Sequence, residues 1–225
     1  MKNALKLIAI MLFVWAMASC TKDPNNGGGH GTNNNYEYVD LGLPSGTLWA
    51  TKNVGVGYYG YSYAWGETAP KSSYKWSTYK YSAGGSMDLT KYVGFDYSYY
   101  GYNDFADGLT VLLPEDDAAT VNWGDEWCTP TYEQWAELLE YTTRTVADLD
   151  EVGLEDCMVF QGPNGNSIKF IINKYSDEGQ ACWCSTRDSD PRYGIAVTLH
   201  SIDFCQISGS LRYQGYKVRP VRKTP

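Results

Sequence analysis

One stretch of the chain, "PTYEQWAELLEY" (residues 130–141), carries a strong helical signal, and most of what surrounds it has the pattern of short strands. Thr131 is placed to cap the helix, and Gln134 three residues on completes a capping box, each side chain satisfying the other's backbone N–H. Tyr132, Trp135, Ala136 and Leu139 recur at i, i+3, i+4 and i+7, which predicts one apolar face turned to a core. Glu133, Glu137 and Glu140 then take the solvated side. A second, shorter helix is expected in "LPEDDAATV". Pro114 suits a first helical turn, and Glu115, Asp116 and Asp117 favour the positive end of its dipole. The same acidic run offers too few converging oxygens for calcium, and EF-hand spacing is absent.

The rest is turn chemistry between apolar runs. "YVDLGLPSGTLWAT" reads as strand, Pro-Ser-Gly turn, strand. "DCMVFQGPNGNSIKFII" reads as a β-hairpin turning at Asn164-Gly165. "ACWCSTR", "YGIAVTLHSIDFCQISG" and "YKVRPVR" supply about three further strands. Two Tyr-Gly segments, "GYYGYSYAWGE" and "KYVGFDYSYYGY", are either a loop layer of half-buried rings or an exposed aromatic surface that stacks on sugars. The fold class predicted is α+β: two helices, one short, packed on small, mainly antiparallel sheets with many loops.

The first residues concern address. Lys2 and Lys6, the short apolar run "LIAIMLFVW" and small residues before Cys20 predict a secretory leader over 1–19, too short to span a bilayer. Met17-Ala18-Ser19-Cys20 resembles the lipobox of bacterial lipoproteins, which implies lipidation of Cys20 and a membrane anchor without a span. "TKDPNNGGGHGTNNN" holds no large apolar group, so 20–35 is expected to be the lipidated cysteine and a flexible tether, with His30 a bystander. Residues 36–225 form one domain, long enough for a real core. Lys22-Asp23 resembles the charged start that sends some Bacteroidetes lipoproteins to the cell surface. The implied location is the outer membrane, facing outward, with the periplasmic face as the alternative.

Charge and cysteines narrow the partners. The formal charge is −8, and loss of Lys2 and Lys6 with the leader takes it to −10. No basic stripe tracks a phosphate backbone, so nucleic acid is excluded as a partner. Apart from Cys20, the cysteines are Cys128, Cys157, Cys182, Cys184 and Cys205, an odd number. Outside the cytoplasm one or two disulfides are compatible with that count, leaving at least one thiol over; the pairing does not follow from sequence.

Several blocks in order carry a family resemblance. "VDLGLPSGTLWAT", "YAWGET", "EDDAATVNWG", "W(C)TPTYEQWAEL", "GPNGNSI", "WCST" and the closing "VRPVR" resemble the Fibrobacter succinogenes major paralogous domain, from about Val39 to Arg222. That family is similar to the C-type-lectin-like fold of formylglycine-generating enzymes and of variable proteins from diversity-generating retroelements. The resemblance implies a fold whose first and last strands pair, with a loop-rich face over a small twisted sheet. Where this chain has Cys182-Trp183-Cys184-Ser185-Thr186, the family usually reads Tyr-Trp-Ser-Ser-Ser, so the two cysteines are expected at ordinary strand positions. In a strand they share one face and Trp183 takes the other, a geometry that does not favour a disulfide between them. Zinc would need two more ligands, from His200 or the remaining cysteines. No metal and no cofactor is expected.

An enzyme is not the expected reading. The copper-binding cysteine motif of formylglycine-generating enzymes does not match, no Ser-His-Asp or Cys-His signature is present, and no carboxylate pair stands out. "GGGHG" in the tether neither follows a strand nor opens a helix, so it is no phosphate loop. The resemblance implies instead a non-catalytic ligand-binding domain for a glycan or protein, with room for a diversified variable protein. Candidate binding residues lie between Trp183 and Tyr213: Trp183, Arg187, Asp188, Asp190, Arg192, Tyr193, His200 and Tyr213. Arg212, Gly215, Val218, Arg219 and Pro220 match the closing motif and are expected to be structural. The Glu-Pro-Asn and Trp-Asn-Asp tripeptides of calcium-dependent lectins are absent. The alternatives are a structural or tip component of a surface assembly and, more weakly, a formylglycine-generating type of enzyme. The sequence does not give the oligomeric state.

Overall fold

The structure, a computed structural model, describes residues 30–33, 36–57, 59–95, 105–148, 156–172 and 180–222. The leader, Cys20 and the Lys22-Asp23 pair lie outside the described residues.

Among the described residues, three sheets and two α-helices make up the domain, so α+β stands. The first sheet holds five strands in the order β1-β2-β3-β11-β4: β1 His30–Asn33, β2 Tyr36–Asp40, β3 Leu48–Ala50, β4 Trp127–Cys128 and β11 Val221–Arg222. The second is the antiparallel meander β5 Thr143–Asp148, β6 Asp156–Gln161 and β7 Ser167–Ile171. The third runs β8 Gln180–Arg187, β9 Tyr193–Ser201 and β10 Phe204–Leu211, also antiparallel. Helix α1 spans Ala118–Trp123 and α2 spans Tyr132–Tyr141.

Both expected hairpins form. β2 and β3 pair across the Pro-Ser-Gly turn, where the Gly46 N–H donates to the Leu43 carbonyl at 2.9 Å. β6 and β7 pair around Asn164-Gly165, and Gly165 takes φ +86° as that tight turn requires. The capping box of α2 is present as predicted.

Four expectations need correction. The apolar face of α2 is set by Trp135 and Leu138, while Tyr132 is 43% exposed. The Tyr132 N–H donates to the Thr186 hydroxyl at the end of β8, which holds the first turn of the helix at the edge of the core. Glu137 is not simply solvated: it accepts hydrogen bonds from the Ser45 N–H (2.8 Å) and hydroxyl (2.5 Å), tying α2 to the first hairpin. The last strand pairs not with the first but with β3 on one side and β4 on the other, because the β2–β3 hairpin presents its second strand inward. Finally, His30–Asn33, assigned by composition to the tether, pairs antiparallel with Tyr36–Asp40; backbone hydrogen bonds to a ready sheet edge do not need apolar side chains.

Strand alternation divides the core in two. Trp49, Trp135, Phe160, Phe170, Cys182, Cys184 and Val221 belong to one cluster. Tyr63, Trp65, Tyr92, Trp123, Trp127, Trp183 and Val218 belong to the other. Neighbouring residues such as Trp49 and Ala50 fall on opposite sides, as period 2 demands.

The acidic run has three fates. Glu115 stays on the surface side, its carboxylate 3.7 Å from Lys91. Asp117 is the N-cap of α1, accepting from the Ala119 N–H, and it also takes the Thr129 N–H and hydroxyl. Asp116, 2% exposed, is buried rather than dipole-facing. It accepts hydrogen bonds from the Tyr81 and Tyr92 hydroxyls and pairs with Lys91 at 2.5 Å and Lys80 at 3.3 Å. Burial pushes its carboxyl up, but Lys91 and the two phenols outweigh that and hold it below its ordinary value. Replacing one member of such a buried network strands the rest, so Asp116→Asn is expected to cost about 3 kcal/mol in urea unfolding at neutral pH. A depressed folded-state pKa contributes stability above the unfolded value of 3.8 that is lost as pH falls through the lower folded value. The gap between wild type and variant therefore closes below about pH 4, and a gap independent of pH would refute the charged network.

Candidate functional site

The predicted residues do not form one site. Trp183 is core: it is 1% exposed, its indole N–H donates to the Tyr63 carbonyl at 2.7 Å, and its ring lies 4.6 Å from that of Tyr216. A ring sealed between sheet and loop cannot meet a ligand, so its assignment to a binding face is overturned.

Arg187, Asp188, Asp190, Arg192 and Tyr193 do come together, in the turn from β8 to β9. Their polar groups are spent mainly on one another. The Arg187 guanidinium donates to the carbonyls of Asp188 (2.6 Å), Ser189 (2.8 Å) and Leu109 (3.3 Å). Asp188 accepts from the Asp190 N–H and the Ser189 hydroxyl, both at 3.0 Å. Asp190 receives the Arg192 backbone N–H at 2.9 Å and pairs with its guanidinium. Burial raises the Asp190 carboxyl, yet the Arg192 hydrogen bonds outweigh it and leave the group below its ordinary range. The Arg192 guanidinium also lies 5.5 Å from the Tyr193 ring. Tyr213, just after β10, is half-buried edge-on to Trp76 at 5.1 Å. This is the bonding of a turn that holds its own shape.

His200 sits elsewhere, seven residues along β9 from Tyr193, about 23 Å at strand rise. There a cleft of about 600 Å³ opens, within the range of small-molecule sites. Its floor is the Trp183 face of the sheet where that face leaves the core: Ala196 is buried, and Thr198 and His200, at successive even positions of β9, are both partly exposed. One wall is the closing segment from Gln214 to Lys217, and Tyr59 lines another part, 45% exposed.

That wall is fixed by backbone and by arginine. Tyr63 and Tyr216 exchange N–H···O bonds at 2.8 and 3.0 Å, and Lys217 does the same with β8 through Ala181 and Trp183. Gly215 lies against Tyr74, whose ring would stand 2.8 Å from an added Cβ. Arg212, fully buried, donates to the Lys91 and Tyr92 carbonyls and lies over Trp65 at 4.9 Å. Arg219 donates to Asn53 Oδ1 at 2.8 Å and the Ala50 carbonyl at 3.1 Å, 4.2 Å above Phe170. Burial pulls its guanidinium down to about 10. The closing motif is thus structural as expected. The residues missed in the sequence are the ones between its anchors: Gln214, Tyr216 and Lys217. Their signal was the mixture of buried Arg212, Val218 and Arg219 with half-exposed polar neighbours.

The Tyr-Gly segments divide between the two expected fates. Tyr63 and Tyr92 are buried, and Tyr59 and Tyr61 are exposed. Tyr58 and the tyrosines from Tyr97 to Tyr102 lie outside the described residues.

No protein-family model, no curated protein and no solved structure matches the chain.

Cys182 and Cys184 are fully buried in one cluster while Trp183 points into the other. Cys182, Cys184 and Cys205 are free thiols. Burial pushes Cys182 up to about 12 and Cys184 well up as well. Thiolates are the reactive form, so a maleimide applied at neutral pH should modify only the partly exposed Cys128 and Cys205 in the native protein. Mass spectrometry of labelled peptides checks this; rapid native labelling of Cys182 or Cys184 would refute their inert strand role.

Proposed function

We propose that this is a lipid-anchored cell-envelope protein whose single domain, C-type-lectin-like in fold, binds a ligand without transforming it. The supporting observation is the cleft beyond Trp183. It combines an exposed tyrosine with hydroxyl, amide, imidazole and ammonium groups from β9 and the closing segment. That mixture suits recognition, with a ring to stack on and polar groups to fix orientation. Among the described residues of the lining, His200 is accompanied by Thr198, Gln214 and Lys217 rather than by a thiol, serine or carboxylate. The self-bonded β8–β9 turn is then a rim rather than the seat of the ligand. Its lipid on Cys20 fixes the domain to the outer membrane, and the tether lets it reach outward.

Two measurements test this. Wild-type protein should take up a fatty-acid label and fractionate with membranes, and Cys20→Ala should abolish both; label retained in the variant would refute the anchor. A screen of the mature chain against immobilised microbial and host glycans and envelope proteins should give a ligand weakened about tenfold or more by Tyr59→Ala. Arg192→Ala, in the self-bonded turn, should leave that binding unchanged. The opposite ranking would move the site to the turn and overturn the cleft.

A further inference from the structure

Among the described residues, the lining of the cleft is basic while the chain as a whole is acidic. The chain has 26 acidic against 18 basic side chains. Yet the described residues lining the cleft include Lys217 and His200 and no carboxylate. The Lys217 ammonium donates to the Gly60 carbonyl at 3.2 Å, which leaves two of its three N–H groups for a ligand. It is half-buried, and burial lowers its pKa; an ammonium partly withdrawn from water attracts an anion more strongly than one in bulk solvent. Beside it, Gln214 uses its side-chain oxygen to accept the Tyr216 hydroxyl at 2.9 Å, which leaves its amide N–H groups as donors. Thr198 adds a hydroxyl that both gives and accepts.

The apolar side of the lining is equally selective. Among the described residues, Ile171 and Ala181 are its aliphatic members, too little to seat the hydrophobic anchors that peptide ligands need, whereas Tyr59 and Tyr216 offer rings. Stacking plus dense neutral hydrogen bonding is the chemistry of a sugar ring, whose faces carry C–H groups and whose rim carries hydroxyls. We infer that the cleft takes a saccharide bearing a carboxylate, with Lys217 as its counter-charge, Tyr59 as the ring platform, and Thr198, Gln214 and His200 as hydroxyl partners. This rests on the ligand-binding reading above and adds the class of ligand.

The experiment uses calorimetry on the mature chain with three probes: a galacturonate trimer, the same trimer methyl-esterified, and a glutamate-rich peptide. The acid trimer should bind about tenfold or more tightly than its ester, the advantage expected of one charge-assisted hydrogen bond. That preference should weaken in salt, disappear in Lys217→Gln with ester binding unchanged, and survive in Lys217→Arg. Matching melting temperatures of the three proteins show that the fold is intact. Equal binding of acid and ester, both lost in Tyr59→Ala, would overturn the acidic class while leaving the cleft as a binding site. Peptide binding lost in Lys217→Gln, with neither trimer bound, would overturn the saccharide and again leave the cleft. No binding of any probe overturns the inference, and the wider screen alone then decides whether the cleft binds ligands.

Discussion

The structure depends on β8 being apolar on both faces while its backbone serves as an acceptor rail. Cys182 and Cys184 fill one hydrophobic cluster and Trp183 the other. The carbonyls along the same strand receive indole N–H groups: Trp65 donates to Cys184 at 2.8 Å and Trp135 to Trp183 at 3.4 Å. A buried indole N–H usually finds such a partner, and these bonds fix where the Trp65 and Trp135 rings sit as well as satisfying them. Burial of three tryptophan rings against one strand then sets the distance between helix α2, the 59–67 loop and the third sheet. The cysteines are small enough to let the second cluster close, which is a packing role that needs no redox or metal chemistry.

A second constraint is the return of the chain between the two clusters. Residues 212–222 run from the end of β10 past β8 and finish as β11 inside the first sheet. Arg212 and Arg219 are buried along that path, held by main-chain carbonyls, Asn53 and aromatic faces. Guanidinium suits this because it is planar, stacks on rings and loses hydration less reluctantly than ammonium. A chain threaded so tightly can vary only where a side chain points away from the clusters. Gln214 and Lys217 are such positions, and with Tyr216, whose ring packs 4.6 Å from that of Trp183, they form the cleft wall.

Asp116 makes the corresponding lock on the other side. Two tyrosine hydroxyls and two lysines converge on it from segments 25 and 35 residues away in sequence. Its neighbour Asp117 caps α1 and receives Thr129, so consecutive aspartates anchor two different loops. The described residues between Ala50 and Pro114 hold little regular structure, and this polar knot ties the segment 80–92 to the turn before α1. The cost of burying one carboxylate is offset by four partners, and the partners in turn cannot be satisfied without it.

The sequence by itself determined the element types: α2 with its capping box, both hairpins, and the strand character of "ACWCSTR" and "YGIAVTLHSIDFCQISG", because capping residues, turn residues and period-2 alternation act within a few residues of one another. It also determined that Cys182 and Cys184 share a face, since that follows from strand geometry alone. Only the tertiary structure decided which side of each amphipathic stretch met a core. Tyr132 is apolar in pattern but overhangs an edge, and Trp183, polar enough at one atom to pass for a binding residue, is sealed between sheet and loop. It alone separated His200 from the Arg187–Tyr193 turn, because residues close in sequence on a strand are carried to opposite ends of it. And it alone built the cleft, joining Tyr59 to Lys217 across most of the chain, a proximity set by the closing segment's route and by no local signal.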